Sequence, residues 1–157
     1  MLRRKMILFA ATAMALVMLG AACSSSSSSS AASGGSSSGS ASSSGGEKIT
    51  IGSDQANDHG TQDATGKTTF EIEADNDEGF YFNPTVLTGS ANQSITLEIK
   101  NEGSVPHTFT IDSLNVSETL APGTSKEVDV TFPGSGTVEF YCQFHRSLGM
   151  VGELSAS

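Results

Sequence analysis

From Thr68 onward the sequence alternates between apolar and polar residues, and a period of two admits one kind of building block. Phe70, Ile72 and Ala74 are separated by Glu71 and Glu73. Ile95, Leu97 and Ile99 alternate with Thr96 and Glu98, and Phe109 and Ile111 with Thr108 and Thr110. Val128, Val130 and Phe132 follow the same rule, as do Val138 and Phe140. Successive side chains of a strand point to opposite faces, so each run reads as a half-buried strand. Turn formers lie between the runs: Asn76 to Gly79, Asn101 to Gly103, Ala121-Pro122-Gly123 and Pro133 to Gly136. No stretch carries a helical period. Several short strands at this spacing predict an all-β fold, a two-sheet antiparallel sandwich or barrel. The acidic residues Glu71, Glu73, Asp75, Asp77 and Glu78 fall on the outward face or in a turn and are expected to be solvated.

The N-terminal third is built differently. Arg3, Arg4 and Lys5 precede an apolar run, Met6 to Leu19, and then Gly20-Ala21-Ala22-Cys23. That order is the pattern of an export signal, and the run is shorter than the ~20 residues of a membrane-spanning helix. Small residues before a cysteine resemble the lipobox of bacterial lipoproteins, with Gly20 at the usual aliphatic position and Leu19 one place further back. The resemblance implies cleavage after residue 22 and lipidation of Cys23. Every residue from Ser24 to Gly46 is Ser, Ala or Gly, a composition that cannot bury a core and predicts a flexible tether reaching roughly 25–30 Å. The expected order is therefore signal peptide 1–22, lipidated cysteine and linker 23–46, a polar lead-in 47–67, and a folded domain 68–157. In the lead-in Ile49 and Ile51 suit a short edge strand, and His59 is expected to be a solvated loop histidine. With the signal removed, five basic residues face seventeen acidic ones, a net charge of about −12. Nucleic acid and anionic lipid surfaces need positive charge, so neither is expected as a direct partner.

The chemistry-bearing residues gather at two places. Only three histidines and two cysteines exist in the whole chain, yet Phe140 to Met150 (FYCQFHRSLGM) holds one cysteine, one histidine and a methionine. Cys142 shares the inward parity of Val138 and Phe140. His107 shares that of Phe109 and Ile111. A cysteine ending one strand and a histidine opening another thus both point inward, with His145 and Met150 in the loop that leaves Cys142. If the two strand ends are neighbours, four donors converge at one end of the sandwich. Two imidazoles, a thiolate and a weak axial thioether form the type 1 copper set. Zinc ordinarily recruits more cysteine or keeps a carboxylate or water. Taken singly, a buried cysteine or methionine is ordinary core; the joint spacing points to a metal.

The segments VPHTFTID (105–112) and FYCQFHRSLGMVG (140–152) resemble the cupredoxin family, in particular its plastocyanin-like and pseudoazurin-like members. The resemblance runs from about residue 68 to 154. It implies an eight-strand Greek-key sandwich and copper ligation by His107, Cys142, His145 and Met150. Two positions depart from the family pattern: Thr108 stands where plastocyanins often carry an asparagine that braces the ligand loop, and Phe144 where many carry proline. The family's loop histidine reaches the surface through an apolar patch, which here gives His145 a rim of Val105, Pro106, Phe144, Leu148 and Gly149.

The implied function is one-electron transfer by a monomer with a single copper ion cycling between Cu(II) and Cu(I), not catalysis. The expected place is the extracytoplasmic face of a bacterial membrane, lipid-anchored, or secreted if Cys23 is unmodified. The expected partner is a cytochrome or a membrane oxidase or reductase, met transiently. A copper storage or delivery protein supplying a membrane oxidase could use the same ligands, and a metal-free adhesion sandwich would need none. Three histidines cannot build the trinuclear cluster of a multicopper oxidase.

Overall fold

The structure, a computed structural model, describes residues 47–157. The expected signal peptide, Cys23 and the Ser/Gly tether lie outside the described residues. Twelve strands form: β1 (Lys48–Ile51), β2 (Asp54–Asn57), β3 (Thr61–Asp63), β4 (Thr69–Asp75), β5 (Tyr81–Asn83), β6 (Val86–Gly89), β7 (Ser94–Asn101), β8 (His107–Ile111), β9 (Val116–Leu120), β10 (Ser125–Thr131), β11 (Thr137–Tyr141) and β12 (Val151–Ala156). Two single 3₁₀ turns, Asp112–Leu114 and Arg146–Leu148, complete the elements. One sheet runs β10-β7-β4-β5 and the other β3-β6-β12-β11-β8-β9, while β1 and β2 pair only with each other.

The fold is the expected all-β sandwich, with three differences. The sheets are mixed: β4 runs parallel to β7, and β12 and β3 both run parallel to β6. The two main sheets hold ten strands rather than eight. The segment expected to be an extended lead-in folds into β1, β2 and β3, with Ile49 and Ile51 on β1 as anticipated.

The core follows from the alternation. Ile95, Leu97 and Ile99 of β7, Ile72 and Ala74 of β4, and Val128 and Val130 of β10 are buried on one inner face. Phe109 and Ile111 of β8, Phe140 of β11 and Leu154 of β12 meet them from the other. Phe82, Phe109 and Phe140 pack as a triangle with centroids 5.0 to 5.8 Å apart, two of the three contacts edge-on. Gly152 sits opposite Phe140 across the β11–β12 ladder. A Cβ there would fall 2.3 Å from the Phe140 ring, so the aromatic core requires a residue without a side chain at that point.

β8 breaks the simple alternation, because all five of its residues are buried. Thr108 and Thr110, expected to face water, are covered. The side chain of Gln143 crosses the outer face of β8 and donates to Thr110 Oγ1 and Ser117 Oγ. The register that matters for the site is Tyr141 against Thr110, antiparallel near the end of β8, so that the chain leaving β11 runs back along β8 toward His107, with Cys142 and Gln143 beside Thr108.

Candidate metal centre

The strand register delivers the donors. β11 ends at Tyr141, and the chain turns through residues 142–150 into β12. The turn is closed by its own backbone. Cys142 N–H donates to Met150 O at 3.0 Å, His145 N–H to Cys142 O at 3.2 Å, and Met150 N–H to His145 O at 3.2 Å. His107 opens β8 alongside. One donor atom each from His107, Cys142 and His145 lies within 4.8 Å of the others. The Cys142 sulfur is 3.4 Å from Nδ1 of His145 and 3.9 Å from Nδ1 of His107, so both rings present the same nitrogen to it. Met150 is fully buried in the same core cluster as Cys142.

The electrostatics suit a cation held by neutral imidazoles. Burial, assisted by the neighbouring His145, pulls His107 down to about 4. Burial also lowers His145. Both rings are therefore neutral at pH 7, the form that binds a metal. The Thr108 backbone N–H points at the Cys142 sulfur at 3.3 Å, and such a donor stabilises a thiolate and tunes its metal. Phe80 stacks on His145 with centroids 3.9 Å apart and planes 15° from parallel. That contact fixes the ring and had no signature in the sequence.

A metal fits the donors. An ion about 2.0 Å from nitrogen and about 2.3 Å from sulfur, at trigonal angles, holds sulfur and nitrogen about 3.7 Å apart. The two observed separations, 3.4 and 3.9 Å, fall on either side of that value. Thr108, in place of the family asparagine, still braces the loop: its Oγ1 accepts the Gln143 N–H at 2.7 Å.

The expected rim holds except at one point. Phe144 and Leu148 are 55% and 51% exposed beside the half-buried His145, with Pro106 also exposed. Gly149, expected at the rim, is instead buried, because the Asn57 side chain covers it. His59 takes no part in the centre. It is half-buried rather than solvated, its ring stacked on Tyr81 at 3.4 Å. Cys142 is the free cysteine among the described residues.

Comparison with known proteins agrees with this geometry. The model of the cupredoxin-like domain matches residues 47–154. Plastocyanin A/B of Petroselinum crispum is 31% identical over 91 residues, covering 52% of this chain and 92% of that protein. Plastocyanin B'/B'' of Nicotiana tabacum is 30% identical over 93 residues, with the same two coverages. Among solved structures, dithionite-reduced auracyanin of Roseiflexus castenholzii superposes with a TM-score of 0.50 at 22% identity, covering 58% of this chain and 98% of that one, a likeness of fold. A single type 1 copper ion is the cofactor that this fold and donor set take. The family match over more than half the sequence, the sandwich and the clustered sulfur and imidazole donors place this chain in the cupredoxin family.

Proposed function

We propose that the protein is a one-electron carrier holding one type 1 copper ion at His107, Cys142, His145 and Met150. The observation that carries this reading is the convergence of a buried sulfur and two neutral imidazoles within 4.8 Å. Bound there, copper would supply reversible exchange of a single electron. The residues supply the rest. Cys142 would provide the strongly covalent ligand, with the Thr108 N–H directed at its sulfur. His107 and His145 would hold the ion through their imidazoles, and Met150 would offer a weaker thioether donor. Four protein ligands leave no position for substrate or water, which supports electron transfer over catalysis.

His145 would be the exit. It is the one ligand of the four that is not fully buried, and Phe144 and Leu148 flank it. A small apolar patch on an acidic domain suits a brief encounter with a basic redox partner. With the signal removed, a lipidated Cys23 and the 24–46 tether would keep the domain within reach of a membrane partner, a cytochrome or an oxidase.

Voltammetry of the copper-loaded protein in the presence of a Cu(I) chelator tests the assignment. A carrier gives a reversible one-electron wave and keeps its metal through repeated cycles. Loss of copper to the chelator on first reduction would make the protein a copper donor instead.

A further inference from the structure

The segment through which the chain enters the domain also covers the ligand loop. β1 and β2 pair with each other alone. Their apolar side, Ile51 and Ala56, forms a small cluster with Val151, flanked by Ile49 and Tyr141 and separate from the main core. From β2 two side chains grip the turn between His145 and Met150. Asp54 accepts Nε and Nη2 of Arg146, at 3.1 and 2.8 Å. Asn57 donates from its side-chain amide to Leu148 O at 2.9 Å and to Phe80 O at 2.8 Å, and from its backbone to Gly149 O at 2.9 Å. The approach is close enough to dictate the residue beneath it. Gly149 has φ +99, and a Cβ there would lie 2.8 Å from the Asn57 amide. Because Phe80 stacks on His145, one asparagine ties down both the ligand loop and the ring that packs on the half-buried ligand.

His107, Cys142 and Met150 are fully buried. A metal ion can therefore reach them only if part of their cover moves, and the 145–150 turn is one part of that cover. Beyond its own backbone bonds and the pairing of Arg146 with Glu139 of β11, that turn is held by a hairpin with only a handful of apolar contacts of its own, and such an element opens at lower free energy than the sandwich beneath it.

We propose that the β1–β2 hairpin is a latch on the metal centre, with Asn57 and Asp54 as its fastenings, and that copper enters and leaves at a rate set by the latch opening. The proposal rests on the copper-binding reading above. Asn57 is on this account a positioning residue that need not touch the metal.

The test uses Asn57→Asp, which keeps the size of the side chain but sets a carboxylate against two carbonyls. Loss of two hydrogen bonds is worth on the order of ten- to thirtyfold in the opening equilibrium. Asp54→Asn, which weakens the other fastening, serves as a milder variant if the first does not fold. Two rates are measured: uptake of Cu(II) by the metal-free protein, and loss of copper to a Cu(I) chelator after reduction. A latch makes both rise together by about that factor. Release that quickens while uptake stays unchanged would assign Asn57 to ligand affinity and overturn the latch. Amide hydrogen exchange on the metal-free protein gives a readout that needs no copper. The amides of Leu148, Gly149 and Met150 should exchange at least tenfold faster in the variant, with those of Leu97 and Ile99 unchanged. Equal acceleration at all five, or none at residues 148–150, would refute the proposal. A wild-type protein that takes up no copper would refute the copper reading, and the exchange measurement would still decide the latch.

Discussion

Replacing Asn101 by leucine should cost the domain about 2–3 kcal/mol and disturb the metal centre although Asn101 is not a ligand. Asn101 is fully buried at the end of β7. Its Nδ2 donates to Val105 O at 2.9 Å and to Leu120 O at 3.0 Å, and its Oδ1 accepts the Gly103 N–H at 3.0 Å. These three bonds fold the segment 102–106 back on itself and tie it to the end of β9, immediately before His107. Leucine fills nearly the same space and makes none of them. Three lost bonds at about 1 kcal/mol each total ~3 kcal/mol, and the apolar burial of leucine returns part of that. For a domain of this size about 4 °C per kcal/mol is expected, so Tm should fall by roughly 8–12 °C. Thermal unfolding of the metal-free protein measures the first effect. The visible spectrum of the copper-loaded protein measures the second, because a loosened segment no longer holds His107 in register with Cys142. A variant that melts within ~2 °C of wild type with an unchanged spectrum would refute the reasoning.

Cys142→Ser should abolish any intense thiolate-to-copper band while leaving the far-ultraviolet circular dichroism of the sandwich intact; a band that survives would remove Cys142 from the ligand set. Met150→Leu should keep copper bound and raise the reduction potential, since loss of a thioether donor disfavours Cu(II); an unchanged potential in voltammetry would show that Met150 is not axial. The metal-free protein should lose stability as pH falls. His107 is held from 6.5 down to about 4 by burial, so between those values the unfolded chain binds a proton that the folded one refuses, and stability drops by about 2 kcal/mol by pH 5. A Tm that stays flat between pH 7 and pH 5 would contradict this.

Period-two alternation located β4, β7, β8, β10 and β11 because each buries one set of side chains against the facing sheet. It said nothing about which strands pair or in which direction, and so the parallel neighbours of β4 and β6 were invisible. Thr108 and Thr110 were misplaced for a tertiary reason: Gln143, more than thirty positions along the chain, covers them. The strands β2 and β3 read DQAN and TQD, sequences with little preference for extended structure, and they form through the backbone partners offered by β1 and β6. The meeting of His107, Cys142 and His145 was legible because parity and spacing bring them together. The residues that support them were not. Asn57 meets Leu148 across 91 positions, and the Phe80 ring reaches His145 from a loop before β5; no local pattern records either contact.

The most direct test of the central claim is the visible and EPR spectrum of residues 47–157 after addition of Cu(II). The account predicts one copper per molecule, an intense blue charge-transfer band and small copper hyperfine splitting. A pale complex with ordinary splitting, or a preference for zinc over copper, would contradict it.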